Sequence, residues 1–347
     1  MDFGIFMEEA RPGVRAGEVL REKLDLAQAG DAWGAHGVWF GEIHFSPGRS
    51  VCSAPTVVGA AIAATTRRIR IVTAVHVLPL HHPLRIAEEV ATLDQLSDGR
   101  VDFGVGRSTT QRAYDSFGIP YEESQARFRE ALDVIVQAWK GEPFSYAGRF
   151  YRFENTAVAP RPHQTPHPRI RMAATTPQTF PLVGALGLHL WVGLRGMDIA
   201  ELRRHVAAYR RAWHEAGHAG DPEVYLRIPI YAAPTDRQAL DEPRESITHY
   251  IRMQADVQRA GVGRDAVAES HRAAQADRMR TMSYDDILQD RVACGSPGRL
   301  IERLAELRDA LALDCVVAEL NPGALIPVDR VKRTLRILSH QVMPALS

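Results

Sequence analysis

The chain has 347 residues, 45% of them apolar and 24% charged, and its 42 basic residues balance 42 acidic ones. That composition belongs to a globular protein with a sizeable core. It excludes a stapled mini-scaffold, a charged tail and the long-range field that gathers nucleic acid or anionic lipid, so any bound anion needs a local site.

Short apolar runs alternate with amphipathic stretches along most of the sequence. Runs of four to seven apolar residues predict strands at Asp2–Phe6, Gly37–Phe40, Ile69–Ala74, Val101–Val105, Arg169–Ala173, Leu188–Gly193, Val224–Ile230 and Cys315–Glu319. Helical patterns fall between them, at about 15–33, 55–66, 83–97, 122–140, 177–186, 198–217, 235–259 and 297–312, with a last one at 327–343. Strands that are apolar on both faces suit a parallel sheet covered by helices. Eight of them alternating with helices favour an α/β fold, a closed (β/α)8 TIM-like barrel, over an open doubly wound sheet. Pro55, Pro83, Pro177 and Pro297 stand where a first helical turn tolerates proline, and Gly99 stands where the third helix should stop.

Two segments break the rhythm. Residues 142–168 combine aromatic alternation with a proline-rich run and predict a hairpin followed by a connector. Residues 256–291 are arginine-rich and weakly periodic, which suggests a lid or mobile loop inserted into one domain spanning 1–347.

Cys52, Cys294 and Cys315 are odd in number and widely spaced, so neither a disulfide framework nor a zinc ribbon is expected. The start carries Asp2 where a signal peptide needs a basic residue, and the run Val57–Ala64 is far short of the roughly 20 apolar residues of a spanning helix. A cytoplasmic protein without membrane or nucleic-acid partners is expected.

The chemistry-bearing residues gather where expected strands end. Gly104-Val105-Gly106-Arg107 begins like a dinucleotide-binding turn, but position 109 is threonine where the third glycine is required, so that motif fails. What remains is a glycine-flanked guanidinium at a strand's C-terminal end, a candidate phosphate fork or else a surface arginine. After the fifth strand, Thr175, Thr176 and Thr179 surround Pro177. With Thr176 as N-cap, a helix N-terminus and three hydroxyls offer donors to an anion, against the plainer reading of a cap. Glu42 and His44 flank Ile43 after the second strand and so share a side of an extended chain, and a histidine at a barrel mouth suits proton transfer near neutral pH. The adjacent pair His81-His82 points to opposite sides. No histidine and carboxylate show metal-ligand spacing, so no metal is expected.

These motifs carry a resemblance. Phe3-Gly4-Ile5-Phe6, Trp39-Phe40-Gly41-Glu42-Ile43-His44-Phe45, Val77-Leu78-Pro79-Leu80-His81-His82-Pro83-Leu84-Arg85, Leu93-Asp94-Gln95-Leu96-Ser97-Asp98-Gly99-Arg100, Phe103-Gly104-Val105-Gly106-Arg107, Phe117-Gly118, Gly295-Ser296-Pro297 and Val342-Met343-Pro344 follow the order found in bacterial luciferase-like, flavin-dependent monooxygenases, and the alpha subunit of luciferase in particular. The resemblance covers nearly the whole chain except 235–290. It implies a TIM-like barrel that takes reduced FMN at its C-terminal mouth from a separate flavin reductase. With O2 the flavin forms a C4a-peroxide that oxygenates a small organic substrate. Arg107 matches the arginine on the FMN phosphate, Thr175, Thr176 and Thr179 match the loop completing that grip, and Ala74-Val75 matches a non-proline cis peptide against the flavin ring. Thr175 stands where luciferases carry an acid. Ile43 replaces the first of two consecutive histidines, the catalytic one, which leaves His44, with Glu42 beside it and His76 as a possible helper. The resemblance also implies a homodimer. Two alternatives share its outline: a hydride-transfer enzyme using the deazaflavin F420, and a non-catalytic flavin-binding partner barrel.

Overall fold

The computed structural model describes all residues except 8, 9, 12, 109, 195, 196, 261–265 and 347, and the side chains of 266–269 and 271. Eight parallel strands close on themselves: Asp2–Phe6, Gly37–Phe40, Arg70–Thr73, Val101–Gly106, Arg169–Ala173, His189–Gly193, Val224–Ala232 and Cys315–Glu319. The eighth strand pairs with both the seventh and the first, which completes the barrel. A hairpin of Phe144–Ala147 and Arg152–Thr156 occupies the first expected insertion.

Two apolar cores hold the architecture. The larger lies between barrel and helices and includes Ile5, Val38, Ile71, Phe103, Leu190 and Leu226, the outward-facing strand residues. The smaller fills the barrel with inward-facing Phe6, Trp39, Val72, Trp191, Tyr225, Cys315 and Val317. Trp39 and Trp191 stack there with ring centroids 6.0 Å apart. A large ring in so narrow an interior needs a small residue opposite. Gly4 supplies it, since a Cβ there would come within 2.0 Å of the Trp39 ring. Below the rings lies a buried ionic layer, with Asp102 accepting from Arg171 at 2.8 Å and pairing with Arg70.

Sequence reasoning places the helix starts at Pro55, Pro83 and Pro297 correctly. Gly99 takes φ +79° at the end of the third helix, with its N–H donating to the Asp94 carbonyl. The helix expected from 177 instead begins at Thr179. Residues 176–178 form a turn, and the Thr176 hydroxyl bonds that of Thr179 at 2.8 Å rather than capping a backbone N–H. The expected helix 235–259 is broken into Asp236–Asp241 and Arg244–Ala260 around Pro243, whose ring cannot donate to the helical ladder.

Most of the segment expected as a lid or mobile loop is helical. Ala266–Thr281 packs against Arg244–Ala260 through Gln258–Gln275, Arg259–Asp277 and Arg280–Asp256 contacts, and Tyr284–Asp290 follows behind a Ser283 capping box. These polar pairs flank a small apolar contact in which Ile251, Ala255, Ala276 and Met279 are buried. Sequence reasoning also passes over the helix Gln111–Phe117 and the short strands His76–Val77 and Ala293–Gly295.

One irregularity positions the site. The third and fourth strands pair Ile71 with Val101 and Val72 with Asp102, after which His76–Val77 pairs with Val105–Gly106. The third strand therefore carries one residue more than its neighbour over this stretch. The Thr73 hydroxyl bridges the gap by accepting from Gly104 N–H and donating to Gly104 C=O, both at 2.9 Å.

Candidate active site at the barrel mouth

Beyond the second strand, the Glu42 side chain is wholly buried and accepts from four donors. His44 Nε2 and His81 Nε2 each lie 2.5 Å from Oε1, while His76 Nδ1 at 3.2 Å and the Val77 N–H at 3.0 Å serve Oε2. Glu42 and His44 meet as their i, i+2 spacing predicts. His76 joins them because the extra residue in the third strand brings it beside the second. His81 arrives from the turn after Leu78–Leu80, a position sequence reasoning passes over because it treats His81 and His82 as a pair on opposite sides. The missed signal is a histidine shortly after a strand adjacent to the one bearing the acid.

Burial pushes the Glu42 carboxyl up, but hydrogen bonds from His44, His76 and His81 outweigh it and hold the group well below the usual carboxylate range. His81 answers in kind. Its burial favours the neutral ring, yet the bond and charge of Glu42 raise it above an ordinary histidine. Glu42, His76 and His81 lie close enough together to hold a metal ion. Each carboxylate oxygen nevertheless already accepts two N–H donors, as a hydrogen-bonded cage requires. The ring of His44 packs edge-on to Phe117 at 5.0 Å, and Phe45 and Phe117 are both partly exposed beside it.

A floor of small residues adjoins this cage. The Ala74–Val75 peptide is cis, as the resemblance implies. A Cβ on Gly41 would stand 3.0 Å from the Ala74 carbonyl oxygen, and one on Gly106 would strike the Val75 side chain at 2.6 Å. Only glycine lets the segment settle against strands two and four. The result is a mouth with no large side chain from Gly41, Ala74 or Gly106, where the backbone itself lies close to whatever occupies it.

Arg107 follows this floor at the end of the fourth strand. Its Nη1 donates to the buried Ser124 hydroxyl at 3.2 Å, and its carbonyl accepts from Tyr114. The fourth and fifth strands are paired through Val105 and Met172, so the loops bearing Arg107 and Thr175–Thr179 leave the barrel side by side. Thr175 is exposed, while Thr176 and Thr179 are half-buried. The structure thus gathers Glu42, His44, His76 and His81 into one cluster, and puts the arginine and the threonines on adjacent strand ends. Cys52, by contrast, is buried within the outer core.

Comparison with known proteins places the chain in a family. The model of the luciferase-like monooxygenases matches residues 1–314. The chain belongs to that family. It is 28% identical over 243 residues to the oxygenase component of a flavin-dependent trigonelline monooxygenase from Acinetobacter baylyi, which covers 69% of this chain and 67% of that one. It is 31% identical over 258 residues to limonene 1,2-monooxygenase from Rhodococcus erythropolis, covering 72% and 65% of the two chains. Among solved structures, monooxygenase RslO1 from Streptomyces bottropensis superposes with a TM-score of 0.82 at 26% identity over the whole of both chains. The oxygenating constituent of 3,6-diketocamphane monooxygenase from Pseudomonas putida, solved with FMN, gives 0.84 at 22% over 99% of this chain and 98% of that one. An F420-dependent secondary alcohol dehydrogenase shares the fold at 17% identity and a TM-score of 0.77. Luciferase-like monooxygenases are flavin-dependent, oxygen-incorporating oxidoreductases, and this chain is one of them.

Proposed function

We propose that the protein is the oxygenase component of a two-component monooxygenase, receiving reduced FMN from a separate reductase and using O2 to oxygenate a small organic molecule. The observation that carries the reading is the small-residue floor of Gly41, Ala74 and Gly106 set directly against the Glu42–histidine cage. Reduced flavin, when bound, supplies the electrons that activate oxygen. The chain's own residues supply the rest. Arg107 turns its guanidinium from Ser124 toward the phosphate, with hydroxyls of Thr175, Thr176 and Thr179 on the neighbouring loop. Ala74 and Val75 support the ring.

Glu42 keeps protons on its side of the mouth. Its carboxylate stays ionised, favours the protonated form of His81 and orients Nε2 of His44, so that imidazoles able to pass a proton stand beside the floor. The catalytic pair is therefore His44 and Glu42, with His81 and His76 fixing the carboxylate. Among the described residues no helix is long and apolar enough to cross a membrane. A cytoplasmic homodimer fits that and the family resemblance.

An anaerobic titration with reduced FMN, and in parallel with reduced F420, followed by rapid mixing with O2, tests the reading. Binding of reduced FMN followed by an oxygen-dependent absorbance transient is expected. Binding of F420 alone with no response to oxygen overturns it in favour of hydride transfer, and binding of neither points to a partner subunit.

A further inference from the structure

Across the barrel from Glu42, at the end of the sixth strand and beside Arg227 and Pro229 of the seventh, a second pocket opens under the helices Arg244–Ala260 and Ala266–Thr281. Leu194, Ile251 and Met279 give it apolar walls, while Arg227, Tyr250, Gln254 and Arg291 bring polar groups into it. The two arginines differ in their charge balance. Arg227 forms a two-pronged pair with buried Glu319, at 2.9 and 2.6 Å, and lies 3.5 Å over the Phe6 ring. Tyr250 donates to the same carboxylate at 2.8 Å. That cation is neutralised.

Arg291 is not. Its Nη1 donates to the carbonyls of Leu194, at 2.9 Å, and Met197, at 2.5 Å, which pin the guanidinium to the loop after the sixth strand. Its buried Nε has no hydrogen-bond partner, and among the described residues no carboxylate lies within ion-pairing distance of it. Asp290, Asp198 and Glu201 attract it only from further away, and burial pushes its pKa down despite them. A half-buried guanidinium with an unspent donor, held rigid at the wall of an apolar pocket, is incomplete without an anion.

We propose that this pocket binds the organic substrate, and that the substrate is a carboxylate with an apolar body whose anionic group is received by Arg291. The proposal rests on the mouth being the flavin-dependent active site, and it names the class of molecule that site accepts. The carboxylate docks on Arg291, the apolar body lies against Leu194, Ile251 and Met279, and the far end reaches the floor of small residues. Two-point holding of this kind fixes which carbon faces the reactive side of the mouth. Arg291 is thus a specificity-determining residue that takes no part in proton transfer.

Calorimetric titration of the protein, flavin-free and FMN-loaded, with benzoate and with its neutral isostere benzamide tests this. Benzoate should bind about tenfold more tightly than benzamide, a difference of about 1.4 kcal/mol. Equal affinities, or binding of neither, overturn the proposal, and this comparison needs no variant. Arg291→Met should reduce the preference to less than about threefold, and Arg291→Lys, which keeps the charge, should restore part of it. Reduced-FMN affinity of Arg291→Met should stay within about twofold of the parent. If FMN binding falls instead, Arg291 belongs to the flavin phosphate site and the proposal is wrong. Because flavin affinity is read separately, loss of the benzoate preference with intact FMN binding leaves the flavin reading standing. Failure of FMN binding in the parent strikes that reading alone.

Discussion

Two buried carboxylates, Glu42 at the mouth and Asp102 at the base of the barrel, have the same burial and opposite uses. Both sit at 0% side-chain exposure, and both are held below the ordinary carboxylate range against burial that pushes them up. Asp102 is balanced by Arg171 and Arg70, whose charges do not titrate in the physiological range, and Arg171 is itself boxed in by Glu223 and by the Tyr225 ring at 3.7 Å. Glu42 is met by three imidazoles, and one of them, His81, is raised above an ordinary histidine by the bond and charge of that same carboxylate. A fixed counter-charge makes a strut. A titratable one makes a device, and it stands where a barrel keeps its chemistry.

The sharpest way to break this contrast is to remove the strut. Asp102→Asn leaves Arg171 buried beside an amide and is expected to lower unfolding free energy by about 3–5 kcal/mol, the range for breaking a buried pair from one side. Urea denaturation reads it, and activity per folded molecule should change far less than stability. Arg107→Ala tests a permanent charge assigned to binding instead. Reduced-FMN affinity should weaken by about 1.5–3 kcal/mol, the worth of a hydrogen bond to a charged group, with little loss of stability. Unchanged affinity by anaerobic titration would remove Arg107 from the phosphate site.

Glu42→Gln keeps the shape of the cage but sets an NH2 group against N–H donors, at about 1–3 kcal/mol for a buried polar group left unsatisfied. Its more telling effect is on pH. The Glu42 carboxyl is lower in the folded state than in the unfolded, so its contribution is present above the ordinary carboxylate value and fades as pH falls through the folded one. His81 is raised, so its contribution is full below the ordinary value of about 6.5 and fades as pH rises through the folded one. Melting temperature in the parent should therefore decline with rising pH above about 6.5 from this group. The smallest effect completes the series: His81→Gln should flatten that decline while leaving the acid limb, and an unflattened curve would show that His81 is not the titrating partner.

Much of this was legible in the sequence. The eight strands lie at or within about two residues of their expected ends because each is a short apolar run buried on both faces, and Glu42 with His44 follows from a strand's two-residue period. The glycines before Arg107 mark it in the sequence as a strand-end arginine, and it does stand at the end of the fourth strand. What sequence reasoning missed depends on register and on side-chain pairing across distance. His81 lies 39 residues from Glu42, and only the path of the third strand brings them together. The helices of 256–291 were hidden because few apolar residues anchor them, among them Ala276, Met279 and Ile287, with glutamine and ion pairs between, and so sparse a set leaves little apolar period. Arg291, one arginine among many in that segment, becomes distinctive only when its hydrogen-bond partners prove to be carbonyls, with no carboxylate among the described residues within ion-pairing distance.

The surplus residue between Val72 and His76 gives the rim of this barrel a length tolerance unlike that of its loops. Changes at Ala74 or Val75 can be absorbed if the new side chain fits, whereas removing one residue between Val72 and His76 would take away the slack in which that segment settles against Gly41 and Gly106. The floor beside the Glu42 cage would then be lost without any change to Glu42 or its histidines. For engineering this barrel, the spacing here is a unit to be kept: a change in its length reaches the site, while a change of side chain that fits does not.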